Sequence, residues 1–383
     1  MEDWQHGGFG LYVHWPFCHS KCPYCDFNSH VAAIIDQPRW ANAYLSEIDR
    51  IGAVTQGRIL QSVFFGGGTP SLMDPELVRS ILDRIRATWR MVNDPEITLE
   101  ANPGSVEVGR FMAYRDAGVN RISLGIQALN DADLRRLGRL HSVKDAEAAF
   151  AVARHVFDRV SFDLIYGRQD QNMRSWAAEL RRALDMAVDH LSLYQLTIEP
   201  GTAFGDRFAK GGLHGLPTED LAADLYEMTQ DMMGAKGMVA YEVSNHAVPS
   251  AESRHNLIYW RGGDYAGIGP GAHGRLTLDG TRWATECPKS PDSWLKTVEQ
   301  TANGSLPSIA LSNEDRAQEY LLMGLRLTEG ISLDRLAAMS GNYLPLSKTE
   351  PLRDSGLISI HEDRLCATPS GRIVLNGVLR ALI

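Results

Sequence analysis

The sequence predicts an α/β fold, a partial (β/α)6, TIM-like barrel followed by a small C-terminal winged-helix-like α+β domain. Three observations predict it. Strand-like apolar runs alternate with helix-like stretches through the first two-thirds of the chain, which implies parallel strands, because each return to the same edge needs a crossover helix. Polar residues fall at the C-terminal ends of those runs, at Gly66–Thr69, Glu100, Gln127, Asp163 and Gln195, the end where (β/α) barrels build their sites. From about Asn313 the pattern changes to short amphipathic helices and a hairpin.

In order, Leu11–Trp15 reads as the first strand and Arg39–Ile51 as the first helix. The run Ser62–Phe65 ends in Gly66-Gly-Gly-Thr-Pro70, and Pro75–Arg90 follows as a helix with Asp74 at its N-cap and Pro75 at its first position. Strands at Ile97–Glu100, Arg121–Ile126, Val160–Ile165 and His190–Tyr194 are separated by helices at Val106–Ala117, Lys144–Phe157 and Met173–Met186. Gly201–Pro217 reads as a loop, Glu219–Lys236 as a helix and Met238–Val243 as a strand. His246–Gly274 is dense in glycine, histidine and aromatics and shows neither period. Beyond it come helices at Glu314–Leu327 and Ser332–Met339, a hairpin of Leu357–His361 with Arg364–Ala367, and a final helix, Gly371–Leu382. The expected organisation is a barrel over 1–245, an irregular connecting segment over 246–310 and a C-terminal domain over 311–383.

Composition narrows the class. The 383 residues are 44% hydrophobic and 22% charged, ordinary for a globular chain with a real core. No apolar run approaches the roughly 18 residues that suggest a membrane span, so no integral membrane protein is expected. The first residues lack a basic stretch and an apolar stretch, so no secretory signal is visible. A net charge of −9 argues against a nucleic-acid partner, including a winged-helix DNA-binding role. Five cysteines, three of them in one short loop, suit a reducing cytoplasm and metal-binding thiolates better than disulfides.

That loop carries the strongest signal. Tyr12-Val-His-Trp-Pro-Phe-Cys18-His-Ser-Lys-Cys22-Pro-Tyr-Cys25 sets CxxxCxxC directly after the first strand. Three neighbouring thiolates suit an iron–sulfur cluster, and a 4Fe–4S cluster on three cysteines keeps one iron open to another ligand. Zinc with His14, His19 or His30 as fourth ligand is the competing reading, although no second cysteine pair exists. Cys287 and Cys366 stand alone and read as buried hydrophobes.

With an aromatic before its last cysteine, this loop resembles that of the radical S-adenosylmethionine (SAM) superfamily. The resemblance implies that Cys18, Cys22 and Cys25 hold a 4Fe–4S cluster, that SAM chelates its open iron, and that Gly66–Pro70 is the glycine turn beside the SAM amino group. The likeness extends over nearly the whole chain to the oxygen-independent coproporphyrinogen dehydrogenase (HemN) group and its heme-chaperone (HemW-like) relatives. By that likeness Tyr12, Gly67 and Glu100 surround the cluster-bound SAM. Tyr24, Gly68, Thr69, Gln127, Arg139 and Asp163 match positions that bind a second SAM in the dehydrogenase. Chemically, Arg139 can pair with a carboxylate, and Glu100 and Asp163 can accept from amino or ribose hydroxyl groups. One stretch departs from the pattern: Gly167-Arg-Gln-Asp-Gln171 lacks the proline and second glycine usual after the fifth strand, which alters the loop beside Asp163.

Two features favour a heme chaperone over the dehydrogenase. The dehydrogenase pattern continues to a fourth cysteine where this chain has Phe27, and the dehydrogenase carries a long N-terminal arm ahead of its cysteines whereas Cys18 sits close to the start of this sequence. His255-Asn-Leu-Ile-Tyr-Trp260 matches the HNxxYW motif tied to heme binding in the chaperone branch. His255 can ligate heme iron, Tyr259 can serve as a phenolate ligand, and Trp260 offers a face for porphyrin stacking; His246 and His273 are further candidates. The resemblance implies a cytoplasmic chaperone that holds a 4Fe–4S cluster, SAM and heme and passes the heme to an acceptor protein at a membrane. Oxygen-independent coproporphyrinogen dehydrogenation is the alternative, with a methylating or heme-degrading radical SAM enzyme behind it.

Overall fold

Alternation along the strands builds the barrel wall. In the computed structural model, which describes residues 2–32 and 34–383, six parallel strands lie side by side in chain order: β1 (Phe9–Trp15), β2 (Ile59–Gly67), β3 (Arg90–Ala101), β4 (Arg121–Gln127), β5 (Arg159–Tyr166) and β6 (His190–Gln195). Successive side chains of a strand face opposite sides of the sheet. Leu11, Val63, Leu99, Ile122, Phe162 and Leu191 are fully buried in the main core, each contributing about 1.5–3 kcal/mol. Their neighbours in sequence, Tyr12, Phe64, Glu100, Ser123, Asp163 and Ser192, line the interior of the barrel. The shell is apolar and the lumen polar.

The crossover helices follow local capping chemistry. Met173–Met186 runs as expected and opens with a capping box between Asn172 and Ser175; Val143–Val156 opens with one between Ser142 and Asp145. Asp74 precedes the helix Pro75–Thr88, but its side chain makes no capping bond. Pro75 presets the first turn without it. Two short helices, Asp131–Arg136 and Ala203–Ala209, occupy stretches that gave no helical period. Met238–Val243 yields only the short strand Val239–Ala240, which pairs through Asn245–Ala247 onto the β6 edge.

The stretch read as irregular is built into the same sheet. Asp264–Ile268 pairs parallel with β1 on the side opposite β2, and His273–Leu278, Thr281–Glu286 and Ile309–Ala310 continue antiparallel. The described sheet has twelve strands, with β1 in its interior. Asp264, with no exposed surface, anchors this extension: its carboxylate meets Arg58 at 2.7 Å and Arg282 at 2.8 Å, and accepts from the Thr277 hydroxyl and backbone N–H. The short helix Arg254–Trp260, capped by Ser253, packs against β1 and β2.

The C-terminal domain has its own core around Leu321, Leu325, Ile331, Leu365 and Leu379. Helices Asn313–Gly324, Leu333–Ser340 and Leu346–Asp354 precede the strands Ile358–His361 and Arg364–Ala367, the latter also pairing with Ile331–Ser332. Helices followed by a wing match the expected domain. Its final helix is broken into Pro369–Ile373 and Leu375–Leu382. Arg335 ties the domain to the first residues through Asp3 at 2.7 Å.

Removing one partner of a buried, fully bonded ion group strands the others. Asp264→Ala should cost about 3–5 kcal/mol in urea unfolding. A cost below about 1 kcal/mol would show that the sheet extension does not depend on this carboxylate.

Candidate functional site

The end of β2 is folded back onto the loop that follows β1. The Gly68 N–H donates to Trp15 O at 2.7 Å and the Thr69 N–H to Phe17 O at 2.8 Å. Gly67 has φ of 109°, in the left-handed region, and a Cβ there would lie 2.6 Å from the His14 ring. His14 in turn links Tyr12 Oη at 3.0 Å with the Asn28 carbonyl at 2.9 Å. The Asn28 amide donates to the carbonyls of Pro270 and Lys289, both at 2.9 Å. The cysteine loop is thus held from both ends.

Within it Cys18, Cys22 and Cys25 are free thiols, each half-buried. Thr69 Oγ1 donates to Cys18 Sγ at 3.3 Å, Arg139 Nη1 to Cys22 Sγ at 3.5 Å, and Ser29 Oγ lies 4.0 Å from Cys25 Sγ. Burial pushes the Cys18 and Cys25 thiols up, with repulsion from neighbouring thiols adding to it. A bound cation offsets such a penalty. His14 has both ring nitrogens engaged and His30 bonds Asn28, which argues against either as a fourth zinc ligand. Among the described residues no three His, Cys, Asp or Glu side chains converge as a single metal ion demands. A cluster whose separate corners each take one thiolate suits this donor set better.

A cavity of about 140 Å³ joins this loop to the strand ends. It is lined by the three cysteines together with Tyr24, Gly67, Gly68, Thr69, Glu100, Gln127, Arg139 and Asp163, so residues spread across the sequence meet in one space. Arg139 is committed to Cys22 and the Gly125 carbonyl, at 2.7 Å, while its buried Nε has no partner. Gln127 adopts φ of 74°, strained for a residue with a side chain. Burial pushes Glu100 up to about 8, with Asp163 adding to the rise and backbone hydrogen bonding from Gly67 opposing it. Asp163 is raised to about 6 by burial, opposed by Ser192, Arg121 and Ser123. Tyr12 belongs to a deeper chamber that shares Glu100, Ser123 and Asp163 with this cavity. The sequence reading missed Ser29, Ser123 and the bridging role of Asn28, all small polar residues without a motif of their own.

The HNxxYW residues are not gathered at this rim. His255 is buried, with Nδ1 at 2.8 Å from Ser62 Oγ and Nε2 at 2.7 Å from Tyr259 Oη, and burial then Arg121 push it down to about 3. It stacks on Phe64 and Tyr12 in the deeper chamber. Trp260 sits apart, among Tyr241 and Leu327, with the Arg326 guanidinium 5.7 Å from its ring. His246 is buried against Gln230 and held down at about 4 by burial, whereas His273 is exposed. Cys287 is buried as expected; Cys366 is half-exposed and donates to the Glu329 carbonyl.

Barrel, thiol loop and glycine turn together describe a radical SAM protein. The Radical SAM superfamily model matches residues 12–183 and the HemN C-terminal domain model residues 311–374. The chain is 36% identical to "Heme chaperone HemW" of Escherichia coli and 40% identical to that of Haemophilus influenzae, each covering 97% of both chains. It is 37% identical to "Radical S-adenosyl methionine domain-containing protein 1, mitochondrial" of Bos taurus, over 97% of this chain and 87% of that one. The solved coproporphyrinogen III oxidase (HemN) from Escherichia coli shares the fold, with a TM-score of 0.81 over 98% of this chain and 90% of that one at 23% identity. The chain belongs to the HemW family within the radical SAM superfamily.

Two predictions follow from this geometry. Replacing Cys18, Cys22 or Cys25 by Ala should each remove the iron–sulfur absorbance after anaerobic reconstitution, while Cys287→Ala should keep it; full iron and sulfide in a loop variant would reject the assignment. Glu100, with its pKa raised above the unfolded value, stays protonated while the unfolded chain ionises, so it lowers stability as pH rises from about 4.5 to about 8. Glu100→Gln should therefore gain stability over the parent by about 1 kcal/mol or more between pH 5 and pH 8 in cofactor-free protein, and an equal difference at both pH values would refute the buried-acid account.

Proposed function

We propose that this chain is a cytoplasmic heme chaperone that carries a 4Fe–4S cluster on Cys18, Cys22 and Cys25, binds SAM beside it and hands heme to an acceptor protein at a membrane. What chiefly supports this reading is identity of 36–40% to named heme chaperones along 97% of both chains. Among the described residues no helix is long and apolar enough to cross a membrane, which suits a carrier that meets its acceptor rather than one embedded beside it. A bound cluster supplies an electron and an open iron for SAM. Thr69 and Arg139 steady two of the thiolates, Gly67 leaves room for backbone approach, and Glu100 and Asp163 offer acceptors for amino and hydroxyl groups. Tyr24, Gly68 and Gln127 complete the wall where a second SAM would lie.

Heme contact is assigned to His255, Tyr259 and Trp260. For His255 to take iron, it has to leave Ser62 and Tyr259, and Trp260 has to turn from Arg326 to stack on a porphyrin. The motif thus needs a shift of the short helix Arg254–Trp260 before it can ligate metal. Coproporphyrinogen dehydrogenation is the second reading, favoured by the fold shared with HemN. Phe27, 60% exposed at the rim, weighs against it, because the dehydrogenase pattern has cysteine there.

Hemin added to the purified, cluster-containing protein should shift the Soret band, saturating at about one heme per chain. His255→Ala and Trp260→Ala should weaken that binding. The same preparation with SAM and reductant should release no CO2 from coproporphyrinogen. Decarboxylation over many turnovers would reverse the ranking of the two readings.

A further inference from the structure

The lumen holds a second chamber, of about 190 Å³, on the far side of Glu100, Ser123 and Asp163 from the cysteines. Its floor is unusual in charge. Arg121, at the start of β4, is 3% exposed, yet its guanidinium donates only to hydroxyls, Thr98 Oγ1 at 3.5 Å and Ser161 Oγ at 3.0 Å. Two other buried guanidiniums have carboxylates, Arg168 with Asp133 and Glu179 and Arg282 with Asp264, whereas Arg139 at the rim donates to Cys22 and a carbonyl. Among the described residues no carboxylate oxygen lies within the 4.0 Å of an ion pair from Arg121. A buried cation without a paired counter-charge is costly in a dry interior.

A neighbouring group repeats the pattern. His190 Nε2 lies 3.0 Å from Tyr241 Oη, which also accepts from the Ser253 N–H. The other ring nitrogen of this histidine, Nδ1, is buried and has no partner, and burial keeps the ring neutral. His190 and Arg121 line the same chamber, the one with an unpartnered ring nitrogen and the other without a paired carboxylate. Of the two acids that share the chamber, neither pairs with Arg121: burial pushes Glu100 up to about 8, and Asp163, at about 6, is engaged by Ser192 and Ser123.

We propose that this chamber is a carboxylate site, with Arg121 as its cationic floor. The planar guanidinium fork suits a carboxylate, and the space admits one on a short stem but not a porphyrin. Two sources share that chemistry, the propionate arm of a heme whose ring stays outside and a free short-chain carboxylate. The first rests on the chaperone reading; the second does not. His255, Asn256 and Tyr259 form the opposite wall, so the HNxxYW motif shapes a carboxylate pocket in the resting structure. Tyr194, 41% exposed, stands where the chamber meets solvent.

The test compares hemin with hemin dimethyl ester, whose propionates are capped, by Soret titration of the cluster-containing protein, alongside equilibrium dialysis with labelled propionate. Hemin should bind roughly tenfold tighter than the diester, and Arg121→Gln should bring the two within about twofold. Arg121→Lys, which keeps the charge and loses the fork, should retain part of the preference and serves if the Gln variant does not fold. Equal binding of hemin and diester with propionate retained by the parent and lost in Arg121→Gln, or weakened in Arg121→Lys, supports the free-carboxylate source. Equal binding with no propionate retained overturns the proposal, as does a preference for hemin that both variants keep in full. If neither heme form binds, the chaperone reading fails and dialysis alone decides the chamber: propionate held by Arg121 supports it, and none held overturns it.

Discussion

The approach of Gly67 to the His14 ring fixes everything at the rim. β1 and β2 are parallel neighbours, so their C-terminal ends emerge together and their following loops compete for the same space. A side chain at Gly67 would strike His14 and also strain a left-handed backbone. With glycine there, the turn closes on Trp15 and Phe17, Thr69 reaches Cys18, and His14 carries the contact on to the cysteine loop. The thiols owe their arrangement to backbone proximity more than to any bond among themselves.

The lumen departs from the usual barrel interior, which layers of branched apolar side chains fill. Here it carries Glu100, Asp163, Arg121, His190 and His255, and the hydrophobic effect acts on the outer face of the sheet. Titratable groups kept away from water cost stability, and strained backbone at Gln127 adds to that cost. Such an interior gives up folding energy to keep polar groups available to a ligand.

The alternation of strand and helix was legible because each parallel strand has a continuous apolar outer face and a long crossover helix beside it. The residues of the thiol cavity were legible for a related reason: in a parallel barrel, strand ends share one rim, so Gly67, Glu100, Gln127 and Asp163 had to meet. The segment after Ser244 was opaque. Its strand Asp264–Ile268 begins with a charged residue and includes two small ones, and its partners, β1 and the Arg58 and Arg282 that neutralise Asp264, come from elsewhere in the chain. His255 shows the same limit. Its partner Ser62 lies 193 residues away, so a motif alone could not reveal that both ring nitrogens are satisfied. Asp74 illustrates the reverse case, a residue of the right type at a cap position with its side chain uncommitted.

Asn28 has a consequence for where this protein can be cut. Its amide spans from the cysteine loop to the carbonyls of Pro270 and Lys289, and a Cβ at Gly271 would collide with it. The region that carries the superfamily signature ends at residue 183, well before both of those carbonyls. An excised fragment would keep every cysteine of the loop and still lose the clamp that shapes it, along with the parallel strand Asp264–Ile268 that covers the outer edge of β1. The minimal unit able to hold the loop in this form therefore runs through Lys289, so the recognisable module and the foldable module are different lengths of chain.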